Sequence, residues 1–285
     1  MTLTKTGIVV VATCSLALSS GAALGAASAT ANVGSFAYQL FDLDPLDGVT
    51  SAITFNSLLG GGNNGYVSSY VNSIDTYFSD TKPHISDVLA SIARPTGQTV
   101  SAAVQGAATL GGIVVSATGT TFANFPETTN SFYGQSSSTD WYFTISPKTL
   151  ALFTATTNLT ASTTGLGYES ASAEGLLRVA GKPQNLEATL LIDGGGGSSD
   201  GSQESSSFKI LEVYGTTGGL RLGQFTLAVA YTNTSTEDLA GYVGANSYVS
   251  GYSEVTAVPE PHTWAMLLAG VGLLGGIAAK RRQRG

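Results

Sequence analysis

Between residues 30 and 257 the apolar side chains come in short, largely alternating runs, with no sustained spacing of three and four residues. That pattern predicts strands rather than helices. The runs are Ser35–Leu43, Thr50–Phe55, Gly112–Thr118, Trp141–Ser146, Leu150–Thr157, Leu186–Ile192, Phe208–Tyr214, Leu220–Tyr231 and Gly241–Val255, separated by Gly, Asn, Asp and Ser. In the first of them Phe36, Tyr38 and Leu40 alternate with Ala37, Gln39 and Phe41, so at least one face is apolar. Tyr66–Arg94 reads two ways, because Val67, Tyr70, Val71, Ile74 and Phe78 share a helical face while the Ser, Asn and β-branched content suits strands. Strands are the reading adopted. Asp193–Ser207 is so rich in Gly and Ser that ordering it costs too much entropy, which predicts a loop joining two strands of one domain.

The two ends depart from this pattern. Residues 1–29 combine Lys5, an apolar run from Ile8 to Leu18 and small residues ending in Ala27-Ser28-Ala29, which reads as a secretory signal peptide with its cleavage site. The run is shorter than the ~20 residues a membrane span needs. Thr263–Ala279 is uncharged and is followed at once by Lys280, Arg281, Arg282 and Arg284. A helix there, at about 1.5 Å per residue, just reaches across a bilayer, and the basic cluster holds its end in the cytoplasm. The chain before Val258 is then expected outside.

Composition narrows the chemistry. Charged residues make up 11% of the chain, and between residues 30 and 257 there are 7 basic against 18 acidic residues, a formal charge of about −11. A surface of that sign repels phosphate backbones, so nucleic acid is excluded as a partner. Cys14 is the only cysteine and lies in the leader, which removes disulfide, thiolate and cysteine–metal chemistry from the mature chain. His84 and His262 are the only histidines, and His84, behind Lys82-Pro83, reads as a loop residue.

Val258-Pro259-Glu260-Pro261 stands directly before the C-terminal apolar stretch. Two prolines around one glutamate hold the backbone extended, the shape a processing protease requires. This segment, the apolar stretch opening Thr263-Trp264-Ala265 and the terminal basic cluster together resemble the PEP-CTERM sorting signal of Gram-negative, exopolysaccharide-producing bacteria. The resemblance covers residues 258–285. It implies processing by an exosortase-type membrane protease, transient anchoring by the C-terminal helix, and delivery to the cell surface or an exopolysaccharide matrix.

Within the ectodomain the candidate sites are few. Asp42, Asp44 and Asp47 before Gly48 form a polar turn that could offer hard oxygen ligands to Ca²⁺, although the spacing is one residue too long for an EF-hand start. Gly197-Ser198-Ser199-Asp200-Gly201 matches a nucleophile elbow in letters only, since it sits in a Gly/Ser tract with no following helix. Phe132-Tyr133 and Asp140-Trp141-Tyr142-Phe143 place aromatics at strand spacing, either for the core or for stacking on sugar rings. Thr154–Thr164 is threonine-rich without the fixed repeat of an ice-binding array. Asn158-Leu159-Thr160 and Asn233-Thr234-Ser235 match the glycosylation pattern, but a bacterial sorting signal makes that modification foreign to the chain.

The sequence thus predicts an all-β, antiparallel sandwich, jelly-roll-like, over residues 30–257, between a signal peptide at 1–29 and a sorting signal at 258–285 with one transmembrane helix at 263–279. The expected role is a non-enzymatic surface or matrix protein without cofactor. The alternatives are a carbohydrate-binding or ice-binding module and a secreted glycan hydrolase using two carboxylates.

Overall fold

The computed structural model describes residues 25–56, 62–72, 74–83, 86–106, 109–123, 129–138, 140–181, 203–254 and 268–269. Fourteen strands follow one another among them: β1 (Gly25–Asp42), β2 (Ile53–Asn56), β3 (Gly62–Val71), β4 (Ile74–Pro83), β5 (Val88–Ala93), β6 (Thr99–Gln105), β7 (Val114–Ala123), β8 (Thr129–Ser137), β9 (Trp141–Ile145), β10 (Thr149–Thr163), β11 (Tyr168–Gly181), β12 (Gln203–Gly215), β13 (Gly219–Asn233) and β14 (Leu239–Glu254). Sheet A runs β13-β10-β1-β7-β6-β5. Sheet B runs β12-β11-β14-β8-β3-β4, and β9, beside β8 on the same edge of β14, carries β2. Every pairing is antiparallel, as the alternation predicts.

Tyr66–Arg94 is β3, β4 and β5, so the strand reading holds. The structure adds β6, β8 and β11, which carry no strong apolar run, and it begins β12 at Gln203, inside the segment expected to be a loop. Leu186–Ile192 and Gly197–Gly201 lie outside the described residues, as do His84, Val258–Pro261 and the C-terminal basic cluster. Of residues 263–279 only Leu268 and Ala269 are described, as helix, and no helix among the described residues is long and apolar enough to cross a membrane. The strands belong to a compact unit spanning Ala23–Val258. Gly25–Ala29, assigned by the sequence to the end of the leader, are the first residues of β1.

The two sheets close on each other through two core clusters. One is built on rings and large aliphatics, with Phe153 and Leu227 of sheet A against Trp141, Phe143 and Leu177 of sheet B. The other is dominated by alanine, with Ala27, Ala29, Ala31, Ala102, Ala117 and Ala161 facing Ala171, Ala173, Val67, Val249 and Phe132. Small side chains bring the sheets close there. A Cβ on Gly119 or Gly251 would lie 2.0 Å and 2.2 Å from the ring of Phe132, which fits into the space that those two glycines leave. Where the sheets approach, polar side chains bridge them: Ser247 Oγ donates to the Val115 carbonyl at 2.8 Å, Ser253 Oγ to that of Gly25 at 2.9 Å, and Asn130 Nδ2 to that of Phe122 at 2.7 Å. Buried polar groups need such partners, and these fix the register of one sheet against the other.

The turn between β10 and β11 is held by one side chain. Glu169 is fully buried, and its carboxylate accepts from the amides of Thr164, Gly165 and Leu166 at 2.6, 3.0 and 3.2 Å and from the Thr164 hydroxyl at 2.7 Å. Gly165 supplies the positive φ, +75°, that the turn requires. Asn233 does the same for the turn before β14, donating to the carbonyls of Ile145, Ser146 and Glu237 and accepting from Ser235. Its side chain is therefore committed to the fold.

Candidate functional site

In sheet B every second residue enters the core, and the residues between them form its outer face. The pairing sets these into rows across the strands. One row reads Tyr77, Ser68, Tyr133, Ser250, Ser172, Glu212 from β4 to β12. The next reads Ser79, Tyr66, Gln135, Tyr248, Glu174, Ile210, and the row on the other side reads Asp75, Tyr70, Ser131, Tyr252, Ser170, Tyr214. Tyr133 of β8 thus has Ser68 and Ser250 directly beside it and four tyrosines, Tyr66, Tyr70, Tyr248 and Tyr252, at the diagonal positions. At ordinary strand spacings those corners enclose roughly 10 by 13 Å.

This symmetry has a source in the sequence. The strands flanking β8 carry the same pattern on it, Tyr66-Val67-Ser68-Ser69-Tyr70 and Tyr248-Val249-Ser250-Gly251-Tyr252. Their valines enter the core on either side of Gly134, while tyrosine, serine and tyrosine face outward. Of the twelve tyrosines in the chain, all except Tyr38 and Tyr231 stand on this outer face.

The rings support one another edge to face, and Tyr70, Tyr77, Tyr168 and Tyr214 remain exposed. Tyr66 meets Tyr77 at 4.8 Å and Tyr133 at 5.5 Å between centroids, both edge-on, and Tyr168 meets Tyr252 at 6.1 Å. Serines between the rings are too short to cover them. Hydroxyls are tied down locally: Tyr133 donates to Gln135 Oε1 at 3.0 Å, Tyr252 to Glu254 Oε2 at 2.6 Å, and Asn246 donates to the Tyr248 oxygen at 3.0 Å. The Tyr133 hydroxyl is held above its ordinary pKa by burial and then by the nearby Tyr248, Tyr66 and Glu174. Tyr252 is pushed up to about 12 by desolvation and by its bond to Glu254. The Glu174 carboxyl is raised by burial and by the charge of Glu212. Arg178, 2.8 Å from Asp140 and 5.8 Å over the Tyr242 ring, is the cation of this face, against the carboxylates of Glu174, Glu212, Glu254 and Asp75. The balance is negative.

The predicted aromatics divide by parity. Phe132, Trp141 and Phe143 are core residues, while Tyr133 and Tyr142 face outward, Tyr142 against Tyr242 at 5.7 Å. Asp42, Asp44 and Asp47 lie at the end of β1 and in the turn after it. There Asp42 Oδ1 accepts from the Asp44 amide at 2.9 Å and Asp47 Oδ1 from the Val49 amide at 2.7 Å, with Gly48 at φ +75°. Among the described residues no group of three or more His, Cys, Asp or Glu is placed to hold a metal ion, so the three carboxylates are not gathered into a ligand set. The corner tyrosines, Glu174 and Glu212 were not singled out from the sequence. The repeated Tyr-Val-Ser-x-Tyr was the available signal.

Comparison with known proteins bears on the C-terminus. Residues 257–282 match the model of the PEP-CTERM protein-sorting motif, which implies export and processing at the membrane by an exosortase. No curated protein matches the chain. A solved structure described as concerning carbohydrate-binding modules of the β-sandwich superfamily aligns with 78% of this chain and 96% of that chain, at 9% identity and a TM-score of 0.11. A score that low assigns neither fold nor ligand.

Proposed function

We propose that this chain, with its PEP-CTERM sorting motif, is an exported protein of the cell surface or extracellular matrix that holds an uncharged stretch of polysaccharide on the outer face of sheet B without cleaving it. The leader-like residues at its start and the sorting motif at its end support export, transient anchoring and release by exosortase. The observation that carries the binding reading is the ring cluster of Tyr66, Tyr70, Tyr248 and Tyr252 around Tyr133, with serines between them. A pyranose presents an apolar C–H face bordered by hydroxyls. Tyrosine rings match the first and the amide of Gln135 and the carboxyl group of Glu174 match the second. Negative charge on the same face disfavours acidic polymers and leaves neutral ones.

A glycan array probed with the exported protein tests this. Neutral glycans should be retained and Tyr133→Ala should release them, while a hydrolysis screen on the retained glycans should yield no product. Retention of acidic glycans alone, or product from a neutral one, would reject the reading. Product that disappears in Glu174→Gln would instead favour the hydrolase, because Glu174 and Glu212 are a neighbouring carboxylate pair with one member raised.

A further inference from the structure

We infer that the leader is cut on the N-terminal side of Gly25, so that β1 enters the sandwich whole. The inference rests on the export reading above and changes where the mature protein begins. Several windows place small residues one and three positions before a cut, some ending inside β1, as Ala27-Ser28-Ala29 does, and others before it, as Ser20-Gly21-Ala22 and Gly21-Ala22-Ala23 do. The fold separates them.

Gly25–Ala29 occupy an interior strand with a partner on each side. Along β7, Gly25 pairs with Ala123 and the register continues to Ala29 opposite Gly119; along β10, Ala27, Ser28 and Ala29 face Thr163, Ser162 and Ala161. Ala27 and Ala29 are buried in the alanine cluster. The Gly25 carbonyl takes the buried hydroxyl of Ser253, and the Ala26 amide donates to Thr164 Oγ1 at 3.1 Å while its carbonyl accepts the Thr164 amide at 3.0 Å. A cut after Ala29 would strip β7 and β10 of these partners, orphan Ser253 and leave a gap where the sheets are closest. A cut after Ala22 removes none of this.

The reaction is a peptide-bond hydrolysis by a leader peptidase: water adds across the scissile amide, leaving a carboxylate on the last residue of the leader and an ammonium group on the first residue of the mature chain. The full-length chain, produced in a Gram-negative host and recovered after export, gives the answer by N-terminal sequencing and intact mass. The first residue is expected at Gly25 or earlier. A first residue at Ala26 or beyond, Thr30 in particular, would overturn the inference. Recovery of the chain with Met1 still attached would remove the leader reading itself, and the inference with it.

Discussion

The outer face of sheet A and that of sheet B share one construction and have opposite chemistry. Both alternate against the same two core clusters. Sheet A turns out hydroxyls, in rows such as Thr160, Thr30, Thr118, Ser101, Ser91, and its six strands hold only two charged residues, Asp42 and Arg221. The strands of sheet B hold ten and turn out rings. On sheet A the hydroxyls satisfy one another, Thr99 with Thr120 at 2.7 Å and Ser101 with Thr118 at 2.8 Å. Such cross-strand pairs stabilise the sheet and leave little unmet valence for a ligand. On sheet B the rings pack edge to face, and Tyr70, Tyr77, Tyr168 and Tyr214 stay exposed. The inner rows build the fold, so the outer rows are free to differ.

The comparison can be broken first at the junctions that both faces share. Glu169→Ala removes four hydrogen bonds from the turn joining β10 of sheet A to β11 of sheet B, and should cost about 3 kcal/mol or more in a urea melt. Next is the ring between the sheets. Gly119→Ala should cost about 2–3 kcal/mol, because its Cβ would meet Phe132 at 2.0 Å, whereas Gly34→Ala, whose nearest neighbour would be at 3.6 Å, should change stability by less than about 1 kcal/mol. Equal costs would mean that the close fit at Phe132 is not what limits the sandwich.

The binding contrast comes third. Tyr133→Ala should weaken neutral-glycan binding about tenfold, some 1.4 kcal/mol, and Thr118→Ala on the opposite face should leave titration calorimetry unchanged. Loss of binding in both variants would deny the division of labour between the faces.

The smallest effects are those of pH. Burial pushes Tyr231, whose hydroxyl donates to the Ala240 carbonyl at 2.7 Å, up to about 12. The folded state thus favours the neutral phenol. The resulting stability is intact below pH 10 and is lost as pH rises from 10 towards 12, when the unfolded chain ionises first. Tyr231→Phe should flatten that alkaline decline. Glu174, also raised, has the same sign: its contribution is present in acid and lost as pH rises through its folded value. Glu174→Gln should therefore raise the melting temperature slightly at pH 7 and leave it unchanged near pH 3.

Legibility in the sequence followed side-chain size. The later part of β1 and strands β9, β10, β13 and β14 carry enough large apolar residues to show their alternation. Strands β6, β8 and β11 show it less, because small or polar residues share their inward positions: Ala102 between Val100 and Val104, Asn130, Gly134 and Ser136 around Phe132, and Ala171, Ala173 and Gly175 before Leu177. Those residues suit the closely packed end of the sandwich and have weak strand preference of their own. The start of β1 was read as leader for the same reason, since Ala27-Ser28-Ala29 serves a cleavage site and a thin core equally well. Of the ring cluster, Tyr133 was legible as an aromatic at strand spacing. Its corners were not, because Tyr66 and Tyr248 become neighbours only through β8, a strand that the apolar pattern does not reveal.

The bond from Ser253 to the Gly25 carbonyl joins residues 228 positions apart, and β14, the last strand, lies in the middle of sheet B between β11 and β8. Closure of the sandwich must wait for the end of the chain. With so many distant pairings, the search for the native topology is slow, and a partly emerged chain has no complete sheet to settle into. The order of synthesis therefore keeps the polypeptide threadable through a translocation pore until β14 has appeared. Only a few residues separate that strand from the sorting motif, so folding and sorting become possible at nearly the same moment.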